Sequence, residues 1–182
     1  MEYIVKHGRP EDVSGRMPKE IECYDMLDNL GIKYDRIDHE AIFDMAHLGE
    51  VRGILGANIN KNLFLCNTQQ TRFYLLLMPG DKPFKTKELS HQINSSRLSF
   101  GPSDKLLELL NVTPGSVNIL SLMYDKTNNV QLLIDEDLLK SEYWGMHPMI
   151  NTTSLKIKKD DILNIYLKYV HHEPIFVKLI GE

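Results

Sequence analysis

Lys61-Asn62-Leu63-Phe64-Leu65-Cys66, the polar Thr68-Gln69-Gln70-Thr71 and Arg72-Phe73-Tyr74-Leu75-Leu76-Leu77-Met78 read as strand, turn and strand. The second run is nearly all apolar, so both faces of that strand are expected to be covered. Helical signals lie on either side. Pro18 suits a first helical position, Ile21, Tyr24, Leu27 and Leu30 make an apolar stripe, and Gly31 is a stop. Ile32 to Ile37 reads as a short strand. Asp44 is a candidate cap for a second helix, with Leu48, Val51 and Leu55 inward and Gly56 after its end.

Downstream, a short helix is expected from Thr86 with Leu89 and Ile93 inward, then a strand at Leu98 to Phe100. Pro102-Ser103-Asp104 opens a helix through Leu110. Val117 to Leu122 and Val130 to Ile134 predict a hairpin across Asp125 to Asn129. Asp160 or Asp161 should cap a helix carrying Ile162, Ile165, Tyr166 and Tyr169, and Ile175 to Leu179 reads as a last strand. Strands and helices interleave, and several neighbouring strands are joined by tight turns. The expectation is an α+β single domain built on a mixed sheet with helices on its faces.

The 182 residues suffice for one domain with a sizeable core. With 42% hydrophobic and 25% charged residues, disordered and fibrous classes are excluded. A formal net charge of −4 excludes a general nucleic-acid coat, so any nucleic-acid partner would need a small local patch. Cys23 and Cys66 are far apart and form no C-x-x-C spacing, which points to a reducing compartment. No basic segment followed by a long apolar run is present. No membrane partner and a cytoplasmic location are therefore expected.

Gly145-Met146-His147-Pro148-Met149-Ile150-Asn151-Thr152 separates two strand candidates. Gly145 is expected to reach backbone angles that let its amide face a ligand. Pro148 should stiffen the loop and hold His147 at a set angle. The bland alternative is a turn in which His147 only caps a backbone group. Lys61 heads an apolar strand, where it either anchors a phosphate or carboxylate or snorkels to water. Asn62 should leave the opposite face, and the two serve one pocket only if a bulge intervenes. The seven histidines and two cysteines form no metal set by spacing, and no cofactor is called for. No Ser-His-Asp or Cys-His triad is legible.

Four ordered matches carry a resemblance. They are Lys61 to Leu65 with Leu77-Met78-Pro79-Gly80-Asp81-Lys82, Arg97-Leu98-Ser99-Phe100, Leu106 to Val117, and Gly145 to Thr152. Together they resemble the YbaK/prolyl-tRNA-synthetase-associated editing domain, nearest to free-standing prolyl-tRNA editing proteins that deacylate alanyl-tRNA(Pro). The resemblance runs from about Ile21 to Leu179. It implies a mixed, mostly antiparallel sheet curled toward a barrel with flanking helices. It leaves residues 1–17 as an N-terminal arm and residues 18–182 as the editing domain.

It also implies hydrolysis of the ester joining a wrong amino acid to the tRNA 3′ end. Lys61, His147 and Gly145 then occupy catalytic positions. Asn62, Met146, Pro148, Met149, Asn151 and Thr152 occupy substrate-binding positions. Lys61 would hold the phosphate of the terminal adenosine, and the Gly145-to-Pro148 loop the aminoacyl group. Other branches have a longer glycine-to-proline spacing, so these roles are carried over from the nearer branch. The implied partners are the 3′ end of mischarged tRNA(Pro) and, as a candidate, prolyl-tRNA synthetase. The alternatives are an inactive tRNA-end-binding module of the same fold and a deacylase for cysteine or serine.

Overall fold

The computed structural model describes residues 3–41 and 45–181. Two sheets face each other across the main core. One has the order β1-β2-β8-β7 and the other β5-β3-β4-β6-β9, where β1 is Lys6–His7, β2 Tyr34–Asp38, β3 Lys61–Cys66, β4 Phe73–Met78, β5 Ser99–Phe100, β6 Val130–Asp135, β7 Tyr143–Met146, β8 Thr153–Lys158 and β9 Ile175–Val177. The first sheet is wholly antiparallel. In the second, β4–β6 and β6–β9 are parallel and the other pairs antiparallel. This is the mixed, mostly antiparallel α+β architecture expected, with its strands divided over two sheets that do not close into a barrel.

β3 and β4 form the expected hairpin, paired one to one from Lys61↔Met78 to Cys66↔Phe73. Both faces of β4 are covered. Leu75 and Leu77 face the main core, while Tyr74, Leu76 and Met78 join a second cluster with Leu89 of α3 (Thr86–Gln92). α1 (Pro18–Asn29) adds Cys23, Tyr24, Met26 and Leu27 to the main core. Val51 and Leu55 of α2 (Met45–Leu55) cover the outer face of the first sheet with Ile37, Ile59 and Tyr3. Asp44 lies outside the described residues. α4 (Ser103–Leu110) begins where the Pro-Ser-Asp signal places it. Among the described residues no helix is long and apolar enough to cross a membrane.

Two expectations are corrected. The hairpin over Val117 to Ile134 does not form. Ile119–Tyr124 is a 3-10 helix, and β6 pairs in parallel with β4 and β9. An apolar run without alternation does not separate a buried strand from a buried helical turn. Side chains decide it here. Asn118 Oδ1 accepts the Leu120 amide at 2.9 Å and starts the helical turn. Asp125 ends it, accepting the amides of Asn129 at 3.0 Å and Val130 at 2.8 Å and so launching β6. The second correction concerns the C-terminal helix. Lys158 stands at its cap position with no side-chain cap, and Asp160 and Asp161 lie inside its first turn. The helix dipole favours carboxylates there without a capping bond.

Asp125 also faces His172 Nε2 at 3.0 Å, both side chains being almost fully buried. Removing one partner of such a pair leaves the other charge or donor stranded. Asp125→Ala is therefore expected to destabilise the fold by about 3–5 kcal/mol, read as a lowered urea midpoint. Lys126→Ala, next door and exposed, should stay within about 0.5 kcal/mol of the parent. Equal midpoints for the two variants would show that Asp125 does not organise this turn.

Candidate functional site

The site forms where the two sheets touch. Asn58 and Ile59, which lead into β3, run alongside Gly145 of β7. Gly145 N–H donates to Asn58 O at 3.0 Å, and Ile59 pairs with Gly145 in parallel. A Cβ on Gly145 would lie 2.9 Å from Asn58 O and 3.1 Å from Ile59 Cγ1. Glycine is thus required for close approach. This corrects the expectation that its amide faces a ligand, because that amide is already bonded to Asn58. The left-handed residue of the loop is Met149, at φ 70°.

His147 is half-buried and its orientation is set from below. Its Nδ1 lies 2.8 Å from Thr153 O. A carbonyl only accepts, so Nδ1 carries the proton and Nε2 keeps its lone pair. Burial pushes the His147 pKa below its ordinary value, and nearby His39 acts in the same direction. The imidazole is therefore neutral near pH 7. Among the described residues, Nε2 has no hydrogen-bond partner. The His39 ring is 6.4 Å away, edge-on and inclined at 67°. Its own nitrogens meet Glu40 O at 2.7 Å and Ser154 Oγ at 2.8 Å.

Thr153 is itself held. The β2–β8 register places it opposite Asp38, and its hydroxyl donates to Asp38 Oδ1 at 2.9 Å. Arg16 grips both Asp38 oxygens at 3.2 and 3.0 Å and also holds buried Glu20, while Arg36 makes a short contact to Asp38. A chain of bonds therefore runs from Arg16 through Asp38 and Thr153 to His147. Sequence reasoning missed Asp38, Thr153, His39 and Ser154. No local signal marks them, since Asp38 and Thr153 are 115 positions apart and meet only through strand pairing.

The structure separates the remaining candidates. Asn62 lines a cavity of about 270 Å³ with Phe64, Phe100, Leu106, Gly115 and Val117. Gly101 lies flat on the Phe64 ring, where a Cβ would come within 2.4 Å. Asn151 does not line this cavity; its Nδ2 lies 4.0 Å from a Cβ built on Gly115, which does. Pro148 is buried and Thr152 is exposed. Met146 and Met149 are 2% and 0% exposed and belong to the main core, and neither lines the cavity. Lys61 leaves the other face of β3 from Asn62, since the ladder has no bulge. Its ammonium donates to Lys82 O at 2.6 Å, leaving two of its three donors for another acceptor. Among the described residues, no three His, Cys, Asp or Glu side chains are grouped to hold a metal ion.

A model of the aminoacyl-tRNA editing domain matches residues 39–165, more than half of the chain. The chain is 28% identical over 139 residues to the prolyl-tRNA editing protein ProX of Acetoanaerobium sticklandii, covering 76% of this chain and 85% of that one. It is 29% identical over 165 residues to prolyl-tRNA synthetase associated domain-containing protein 1 of Danio rerio, covering 87% and 85%. Its fold is similar to a crystal structure of a candidate trans-editing enzyme for prolyl tRNA synthetase. The TM-score is 0.63 at 15% identity, over 90% of this chain and 98% of that one.

The Asp38 network has a measurable signature. Burial pushes the Asp38 carboxyl up, but hydrogen bonds from Arg16, Arg36 and Thr153 outweigh it and bring the pKa to about 2. An unfolded aspartate titrates near 3.9, at about pH 4. The stability from this depressed group is complete above that value and is lost as pH falls toward about 2. The Tm gap between the parent and Asp38→Asn should therefore be constant above about pH 5 and shrink between about pH 4 and 2. A gap that stays constant down to pH 2 would show that the folded protein does not hold this carboxylate ionised.

Proposed function

We propose, since the chain belongs to the aminoacyl-tRNA editing domain family, that it is a trans-acting deacylase that hydrolyses mischarged tRNA(Pro), with alanyl-tRNA(Pro) as its substrate. The observation that carries this reading is a half-buried, neutral His147, inside the matched span, whose Nε2 has no partner among the described residues and is fixed in direction by Thr153. The kinship with prolyl-tRNA editing proteins directs it to tRNA(Pro). A synthetase pocket shaped for proline rejects the smaller alanine weakly, because lost apolar contacts are worth only about 1–3 kcal/mol. A second site that admits alanine and excludes proline supplies the missing discrimination.

An aminoacyl ester is already reactive, so positioning and one oriented water can carry its hydrolysis. In this reading His147 Nε2 accepts a hydrogen bond from that water or from the substrate amine. Lys61 offers its two remaining donors to the terminal adenosine phosphate. The apolar size test falls to the Phe64, Leu106 and Val117 wall, with Asn62 as its polar side chain. Prolyl-tRNA synthetase is the source of the mischarged tRNA and a candidate partner, and the setting is the cytoplasm.

Purified protein on tRNA(Pro) charged with alanine, cysteine, serine or proline tests the assignment. Alanyl-tRNA(Pro) should be deacylated much faster than prolyl-tRNA(Pro), since the proline ring collides with the apolar wall. Equal rates for these two would reject the size test, and no deacylation of any of them would leave a tRNA-end-binding module.

Lys61→Ala should lower kcat/KM by roughly thirty- to several-thousand-fold. That corresponds to the loss of about 2–5 kcal/mol when one partner of a desolvated charge pair is removed. Lys61→Arg should restore only part of it, because a planar fork replaces a compact ammonium. Parent-like deacylation by a Lys61→Ala protein of unchanged Tm would reduce this lysine to a strand-end side chain.

A further inference from the structure

We propose that the open trough between α3 and β9 is the surface on which the acceptor end of the tRNA lies, its phosphates held by Lys85, Lys87 and Lys178. This rests on the aminoacyl-tRNA reading and names how the body of that substrate is held. A chain of net charge −4 repels a polyanion as a whole, so binding needs a surface where the local sign is reversed. The trough supplies it. Lys85, Lys87, His91 and Lys178 line it and are all exposed, and Glu88 is its one lining carboxylate among the described residues. Glu88 is turned aside, its oxygens accepting the amides of Ile180 and Gly181.

The lysines of the trough are uncommitted, as are other exposed lysines such as Lys33, Lys126 and Lys168, but here three of them converge on one surface. Among the described residues Lys85 and Lys87 make no ion pair, and Lys178 reaches Glu136 only at 4.0 Å. By contrast Lys82 is held by Asp135 and Asp137, Lys105 by Glu108 and Lys140 by Asp137. Ser95 Oγ, on a residue of the trough wall, is buried with no hydrogen-bond partner. Lysines act on phosphates as point charges, and this wall carries no Phe, Tyr or Trp ring for a base to stack on. The occupant it fits is the strand leading away from the terminal adenosine, held through its phosphates rather than its bases.

Position links the trough to the site. Lys61 donates to the carbonyl of Lys82, and Lys85 follows three residues later. Three residues span at most about 11 Å, so the trough opens within about that distance of the residue that holds Lys61. Gly181 packs on Lys82 and Pro83, which brings the β9 side of the trough onto the same segment. A 3′ end whose last phosphate meets Lys61 is thereby directed to lay its following phosphates along the trough.

The test changes Lys85, Lys87 and Lys178 together to alanine. It compares alanyl-tRNA(Pro) with the alanyl ester of adenosine 5′-monophosphate, which carries the terminal phosphate alone. For the full tRNA, KM should rise about tenfold or more at low salt with kcat within about twofold. The slope of log KM against log salt should fall by about one per lysine removed. Turnover of this one-phosphate substrate should stay within about twofold of the parent. Equal losses on both substrates would overturn the proposal, and so would an unchanged salt slope on the full tRNA. If the parent protein hydrolyses no aminoacyl-tRNA, the deacylase reading fails. The salt slope for binding fluorescent uncharged tRNA(Pro) then decides the trough, which stands if the triple variant lowers that slope and falls if it does not.

Discussion

The two sheets meet where Gly145 lies against Asn58 and Ile59. The backbone of β7 there comes so close to the segment leading into β3 that a single methyl group would sit 2.9 Å from a carbonyl oxygen. Interiors at crystal-like density do not absorb such an overlap, so the seam exists only with glycine in it. Much of the site follows from this contact. It places the loop after Gly145 beside the head of β3, and with it His147 and Asn151 on one side of the junction and Lys61 and Asn62 on the other. It also costs the site something, because the Gly145 amide is consumed in making it.

Around that seam the molecule holds a soft polar group with hard ones. His147 is useful as an acceptor only if its proton stays on Nδ1 and its ring does not rotate. Thr153 O fixes the proton, and the Thr153 hydroxyl is fixed in turn by an aspartate clamped between two arginines. Each step replaces a mobile side chain by a better-anchored one, as support behind a reactive group generally does. The support begins at Arg16, so the segment before α1 contributes to the architecture of the site as well as adding a short edge strand to the first sheet.

Electrostatics here is arranged locally rather than through net charge. Acidic and basic groups that meet in the interior are paired, as Asp38 with its arginines, Asp125 with His172 and Lys82 with Asp135 and Asp137. Next to α3, Lys85, Lys87 and Lys178 gather positive charge on one exposed surface, without a close ion pair among the described residues. An acidic protein can in this way present a basic face without self-repulsion over the rest of its surface.

The chain by itself determined the elements whose signals are local. β3 and β4 were legible because a polar turn separates two apolar runs. α1 and α4 were legible because proline, serine and aspartate mark helix starts, and the α+β class followed from how these elements alternate. The Gly145-to-Thr152 loop, Lys61 and Asn62 were legible as unusual residues for their surroundings and through the family they resemble. Tertiary structure decided the rest. Ile119–Tyr124 became helical because Asn118 and Asp125 offered side-chain acceptors to backbone amides, a choice that apolar composition leaves open. Met146 and Met149 went to the core, and Lys61 took the opposite face from Asn62 because an unbulged ladder fixes every alternate side chain. Asp38, Thr153 and His39 joined the site only when β2 paired with β8. Contacts across more than a hundred residues are set by strand register, which depends on the summed burial of both faces and leaves no mark on the few residues that finally touch.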